Sequence, residues 1–289
     1  MTVTVLDPKT DPRMNLPDGG QGLAIQVSAA IVAMRKTPEQ HAEMVSQALH
    51  GEIVTLHHED GEFGLIQNHI DGYVGWTLME ALSAPVLQPT HRLKALRAYA
   101  FPEPSIKSPP FFPISLGAKL VSEGQREGRF LKVARIGWVV EDQLALIDEY
   151  EVDPAAVAVR YLHTPYLWGG RESLGIDCSG LMQQAFAACA VVLPRDSNMQ
   201  DAWSGNPISN WLEPGALQRN DLVFWKGHVG IMLDAEILLH ANGYHMGVAA
   251  EPLHTSIDRI AKQYGEPLGA RRIDIQNLKG VTPDWLIRQ

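Results

Sequence analysis

Asp177-Cys178-Ser179-Gly180-Leu181 is the stretch that decides how the second half of this chain is read. Asp177 suits a helix N-cap, and Leu181, Met182, Ala185, Phe186 and Cys189 fall on one stripe of a helix expected from Cys178 to about Val191. Cys178 then lies in the first turn, where unpaired N–H groups and the positive dipole end favour a thiolate. This predicts a thiol pKa below the free value of about 8.5. Cys189 reads as a small buried hydrophobe. On one helix the two cysteines are about 16 Å apart, too far for a disulfide.

Two histidines follow on strand-like segments. His228 lies in Asp221-Leu222-Val223-Phe224-Trp225-Lys226-Gly227-His228-Val229-Gly230, and His240 ends Glu236-Ile237-Leu238-Leu239-His240. A cysteine at a helix start with a histidine base and a third orienting group is the equipment of a thiol hydrolase. A three-residue loop at Leu233-Asp234-Ala235 puts His228 opposite His240, whereas a two-residue loop at Asp234-Ala235 puts them on opposite faces. The chemistry therefore requires an odd loop or a bulge. On that geometry His228 is the base and His240 orients it; Asn242 and Asp221 are the alternative orienters. A zinc site would need paired ligands at CxxC or HxxxH spacing, and the chain has neither, so no metal is expected.

Upstream, the texture is that of short strands with turns. Residues 1–20 read as an N-terminal arm. From 21 to 84, Gly51 to Leu56, Phe63 to Ile66 and Tyr73-Val74-Gly75-Trp76 are strands separated by His58-Glu59-Asp60-Gly61 and Asp71-Gly72 turns. A second copy runs from 90 to 148, with strands at Gly117 to Val121, Glu127 to Val133 and Ile136 to Val139. It carries a Pro-rich insertion at Ser108 to Pro113, and Pro85 to Thr90 link the copies. Both copies resemble bacterial SH3-like barrels. Near Asp153-Pro154 the pattern changes to a helix over Pro154 to His163, with Pro at its first turn. The expected fold is therefore multidomain: two small all-β SH3-like barrels, then an α+β catalytic domain over 154–280.

Tyr166-x-Trp168-Gly169-Gly170, Asp177-Cys178-Ser179-Gly180-Leu181, Gly227-His228-Val229-Gly230-Ile231 and the later His240, in that order, resemble the NlpC family of papain-like cell-wall cysteine peptidases. With two barrels in front, the layout is similar to three-domain γ-D-glutamyl-L-diamino acid endopeptidases. The resemblance implies that Tyr166 supports the oxyanion and Trp168 lines the substrate groove. It implies that Asp177 and Ser179 shape the nucleophile turn and bind substrate backbone. Asp196 and Ser197, in Pro194-Arg195-Asp196-Ser197-x-x-Gln200, would hold the free amine of an N-terminal L-Ala; the alternative is a helix cap at Asp196. Glu43 and Tyr73 of the first barrel would close the same pocket; the alternatives are a surface charge and a barrel core residue.

The implied substrate is a small murein peptide, L-Ala-γ-D-Glu-diamino acid, cut without cofactor in peptidoglycan recycling. A net charge of −9 with no basic cluster argues against nucleic acid as a partner. No run approaches the ~20 apolar residues of a membrane span. The N-terminus lacks a basic segment followed by an apolar one, so a cytoplasmic enzyme is expected. The rival readings are an exported hydrolase of intact wall and a non-catalytic peptidoglycan-binding scaffold.

Overall fold

The computed structural model describes residues 6–16 and 22–287. Residues 1–5 and 17–20 of the expected arm, and the last two of the tail, lie outside the described residues. The chain divides into two compact units, one of residues 12–150 and one that joins residues 6–11 to the C-terminal half from Glu151 on.

In the N-terminal unit, strands β1 (Leu23–Val27), β2 (Ile31–Arg35), β3 (Met44–Leu49), β4 (Ile53–Asp60), β5 (Phe63–Asn68), β6 (Val74–Leu78) and β7 (Leu82–Ser83) form one sheet. Its order is β3-β2-β6-β5-β4-β1-β7. The expected turn at His58 to Gly61 is narrower than the sequence suggests. β4 runs on to Asp60, which pairs with Phe63, and a bulge between Leu56 and His58 absorbs the difference.

Residues 91–146 form three smaller sheets around their own core. The strands are β8 (His91–Leu93), β9 (Arg97–Ala100), β10 (Phe112–Ser115), β11 (Lys119–Leu120), β12 (Ser122–Glu127), β13 (Phe130–Val133), β14 (Gly137–Val140) and β15 (Leu144–Leu146). They pair as β10-β9, β11-β8-β15 and β12-β13-β14. Leu93, Ile114, Leu120, Leu131, Val133 and Val139 pack in the middle. Phe112 and Pro113, expected in the loop, are strand residues. A proline is tolerated there because β10 pairs on one side only. Buried Gln26 ties the linker, its amide donating to Leu87 O at 2.9 Å and its carbonyl accepting from Leu87 N and Arg135.

The C-terminal unit is an antiparallel sheet with helices. Helix α1 (Pro154–Val159) is shorter than expected. Arg160, Tyr161 and Leu162 bond back three residues, His163 takes φ 68°, and Pro165 disfavours a helical Thr164. A small ribbon, β16 (Arg171–Glu172) with β17 (Gly175–Ile176), leads into α2 (Cys178–Ala187). After α3 (Ser197–Trp203) come β18 (Asn206–Pro207), β19 (Leu222–Trp225), β20 (His228–Met232), β21 (Ile237–Asn242), β22 (Gly247–Pro252), α4 (Leu253–Tyr264), β23 (Gly269–Arg272) and α5 (Ile275–Leu278). The sheet order is β18-β23-β19-β20-β21-β22. α2 lies along β20 and β21, while α4 lies along β21 and β22. Val223, Trp225, Met232 and Leu238 of one sheet face share a core with Leu253 and Ile260 of α4.

Candidate active site

Asp177 begins α2 as expected. Its Oδ1 accepts from Gly180 N at 2.7 Å, which satisfies one of the orphan N–H groups of the first turn. The other oxygen accepts from Gly169 N at 2.9 Å, so the same carboxylate ties the Gly169-Gly170 loop to the helix start. The two backbones meet so closely that a Cβ on Gly180 would lie 2.2 Å from Gly170 O. Glycine at 180 is therefore a packing requirement.

Behind this turn lies Arg195, 1% exposed. Its guanidinium donates to both oxygens of Asp177, at 3.1 and 2.6 Å, and to Ser179 Oγ at 2.9 Å. Gln200 of α3 donates to Ser179 O at 3.0 Å and to Pro194 O at 2.8 Å. The start of α3 is thus fastened to the turn that carries Cys178.

The Cys178 thiol is buried and takes backbone hydrogen bonds from Val229 and Ser179. The first of these places its sulfur against the start of β20. Burial, followed by the Asp177 carboxylate alongside, pushes its pKa up to about 12 against the pull of those N–H groups and Arg195. This corrects the expectation of a depressed value. The helix terminus does favour the anion, but enclosure from water and the capping carboxylate outweigh it.

On the other side stand the histidines. β20 and β21 pair Ile231 with Leu239 and Met232 with Leu238. The loop is Asp234-Ala235-Glu236, three residues as required but one position later than anticipated. Asp234 closes it by accepting from Glu236 N and Ile237 N, both at 2.8 Å. The register puts His240 across from Gly230, so His228 and His240 share a face diagonally. Their Nε2 and Nδ1 atoms lie 2.8 Å apart. A Cβ at Gly230 would sit 2.7 Å from Leu238 Cδ1 and 3.1 Å from His240 Cβ, so the bare backbone there leaves room for the diagonal contact. Burial, then the neighbouring His240, lowers the His228 pKa to about 3. Burial also lowers His240, although Glu251 opposes it.

The network continues through Glu251 of β22, whose Oε1 lies 2.7 Å from His240 Nε2. Arg259 of α4 forms an ion pair with the same oxygen and stacks under Tyr244, 4.3 Å from the ring centroid. Burial disfavours the charged carboxylate, but the hydrogen bond and charge of His240, with Arg259, outweigh it and hold Glu251 at about 2. His240, His245 and Glu251 bring one ligand atom each within 4.8 Å of one another. The Arg259 guanidinium already supplies the positive charge a metal would bring to Glu251.

Residues 163–263 match the family model of the NlpC/P60 family, and residues 34–82 match the bacterial dipeptidyl-peptidase Sh3 domain. The C-terminal unit carries an NlpC/P60 domain. Dipeptidyl-peptidase 6 of Lysinibacillus sphaericus is 27% identical over 242 residues, covering 75% of this chain and 88% of that protein. A γ-D-glutamyl-L-lysine dipeptidyl-peptidase of Bacillus subtilis is 36% identical over 90 residues, 28% of each chain. The crystal structure of an NlpC/P60 family protein from Bacillus cereus superposes with a TM-score of 0.73 at 19% identity. It covers 86% of this chain and 99% of that one, and it establishes the shared fold. The protein is thus multidomain, with an SH3-like domain ahead of a catalytic domain of the NlpC/P60 peptidase family.

Within the NlpC/P60 domain, Cys178, His228, His240, Asp177 and Ser179 come together around the start of α2 and β20. Tyr166 joins them: burial, and then the charges of Cys178 and Asp177, push its phenol pKa up, so it stays a donor. Trp168 is 60% exposed. The side chains of Asp177 and Ser179 turn inward to Arg195, so the partners seen here are internal. Asp196 occupies the N-cap position of α3, but its side chain caps no helix N–H; Ser197 is buried. Asp221 is held by Arg272, and Asn242 accepts from His245 N at 2.8 Å, so neither alternative orienter replaces His240. Glu43 and Tyr73 belong to the N-terminal unit. Glu43 pairs with Lys36 at 3.6 Å across the β2–β3 loop, and Tyr73 is 4% exposed.

Sequence reasoning missed Glu251, Arg259 and all of α4. Leu253, Ile257 and Ile260 stand at helical spacing, with Gly265 after the last turn, so the helix had a signal. Glu251 had none, because its relation to His240 depends on the register of β21 with β22, where Leu238 faces Glu251.

Proposed function

We propose that this protein is a cysteine endopeptidase that cuts the γ-D-Glu–diamino acid bond of murein peptides bearing a free N-terminal L-Ala. One observation carries the reading: a buried thiol at a helix start, against the strand that begins with His228, with the other ring nitrogen of His228 taken by His240. The name of the Bacillus subtilis relative, a γ-D-glutamyl-L-lysine dipeptidyl-peptidase, points to the same bond class.

Thiol and imidazole are both neutral at rest, since burial raises one pKa and lowers the other. The thiol must therefore give its proton to His228 in the course of attack. Cys178 Sγ bonds to the γ-carbonyl carbon as His228 Nδ1 takes the thiol proton. The oxyanion is met by the Tyr166 hydroxyl and the Cys178 N–H. His228 then gives its proton to the leaving amine of the diamino acid, and the acyl-enzyme is released by a water that His228 activates.

Asp196 supplies the preference for a free amine. Its carboxylate suits an ammonium group better than a blocked, uncharged end. Support comes from the fastening of α3 to the nucleophile turn through Arg195 and Gln200. A free L-Ala end belongs to released wall fragments, so the proposal extends to recycling of such fragments in the cytoplasm. Two SH3-like barrels in the N-terminal unit are part of the same reading, supported by the separate sheets of residues 23–83 and 91–146.

Mass spectrometry of L-Ala-γ-D-Glu-diaminopimelate and its N-acetyl twin tests this. Release of L-Ala-γ-D-Glu from the free peptide alone is expected. Equal cleavage of both removes the role of Asp196, and cleavage of neither removes the proposed substrate. Glu43→Gln and Tyr73→Phe, run beside Asp196→Asn, ask whether the N-terminal unit contributes to the selection.

A further inference from the structure

The pair of hydrogen bonds on His240 has a consequence that depends on Glu251. An ionised carboxylate has no proton to give. Glu251 is ionised and pinned by Arg259, so the hydrogen between it and His240 belongs to His240 Nε2. His240 is buried and neutral, so its Nδ1 then has no hydrogen and accepts. The hydrogen between the two rings must therefore be on His228 Nε2. A neutral His228 with its hydrogen on Nε2 leaves Nδ1 as a lone pair, which is the form a base requires.

We infer that Glu251, held by Arg259, is a positioning residue that sets the tautomers of His240 and His228 and so makes His228 Nδ1 the base for Cys178. This rests on the thiol-peptidase reading only for its catalytic meaning; the tautomers themselves are independent of it. Without Glu251, His240 has no anchored acceptor for Nε2–H. The ring can then hold its hydrogen on Nδ1, which turns the contact with His228 from acceptor to donor. His228 Nε2 must then accept, and its Nδ1 carries the hydrogen that should come from the thiol. Partners that fix the tautomer of a metal-bound histidine matter by about tenfold to a hundredfold, and an effect of that order is expected here.

Charge acts in the same direction. When His228 takes the thiol proton it becomes a cation. His240 and Arg259 act on that cation with neutral or positive groups, His245 lies beyond His240, and Cys178 comes from α2. Glu251 is the negative charge coupled to it through His240. Removing that charge makes the protonated base less stable, so the thiolate forms only at higher pH.

The test uses the full chain and no peptide. Nitrogen-15 NMR of the histidine rings reads the tautomers, and the pH profile of Cys178 alkylation by iodoacetamide reads the base. Wild type is expected to show hydrogen on Nε2 of both His228 and His240. Glu251→Leu is expected to mix or reverse both tautomers and to slow alkylation at pH 7 by about tenfold or more, with its midpoint moved upward. Glu251→Gln keeps an oxygen for His240 but loses the charge, and falls between. Glu251→Asp restores most of the wild-type profile. Should the leucine variant not fold, the glutamine and aspartate variants carry the comparison. Wild-type hydrogen on His240 Nδ1, or unchanged tautomers and alkylation in folded Glu251→Leu or Glu251→Gln, overturns the inference. An altered alkylation profile beside a protein that cleaves no murein peptide would leave it standing and remove the proposed substrate instead.

Discussion

Cys178 is flanked by two charged networks that work in opposite ways. On the Asp177 side, Arg195 holds a carboxylate through two hydrogen bonds, and its guanidinium remains protonated at any working pH. On the histidine side, His228, His240 and Glu251 form a chain whose hydrogens have two possible placements on each ring, the choice being set by Glu251. The first network has a single arrangement and fixes where the sulfur sits. The second has alternatives, and choosing among them determines whether the sulfur can lose its proton. Disrupting the first should therefore be read mainly in stability, and disrupting the second mainly in rate.

The largest expected effect tests the second network. Cys178→Ala and His228→Gln should each lower kcat/KM by at least about 10⁴-fold, while circular dichroism and urea unfolding remain near wild type. A large stability loss in His228→Gln would show that the histidines also hold the fold. Next comes Arg195→Met, which strands a buried carboxylate and should destabilise the protein by about 3–5 kcal/mol in urea unfolding. Adding Asp177→Asn to it should recover part of that loss, because the stranded charge is gone.

Two glycines sharpen the contrast at smaller magnitude. Gly180→Ala drives a methyl against Gly170 O and should cost about 1–3 kcal/mol of stability. Gly230→Ala presses on Leu238 and His240, so its loss of kcat should exceed what its change in stability accounts for. Equal effects of the two on stability and rate would erase the distinction.

The last expected effect is in the pH dependence of stability. His228 has a folded pKa of about 3 against an ordinary 6.5, so its contribution is complete above 6.5 and fades as pH falls toward 3. Glu251, at about 2 against 4.5, contributes fully above 4.5 and loses that contribution as pH falls toward 2. Melting temperature should therefore decline in two overlapping steps on acidification. His228→Gln should flatten the upper step and Glu251→Gln the lower one.

The sequence made different parts of this molecule legible for different reasons. The cap at Asp177 and the start of α2 at Cys178 are local, set by neighbours a few residues away. They could be read from residue type and spacing. Loop parity between β20 and β21 followed from chemistry, since only an odd count puts two histidines on one face. Its position was off by one residue because Asp234 closes the loop through its own side chain. The thiol pKa was misread because the helix end is a local feature, whereas enclosure of the sulfur depends on how β20 and the Gly169-Gly170 loop pack around it.

By itself the sequence determined the identity of the reacting groups, the helix that presents the thiol and the alternation that presents the histidines. Short-range backbone preferences and periodicity suffice for those. Only the tertiary structure decided that Arg195 backs the nucleophile turn and that Glu251 and Arg259 extend the histidine chain. Those contacts join residues through strand register and helix packing, and their energies depend on burial that no single segment possesses before the chain has folded.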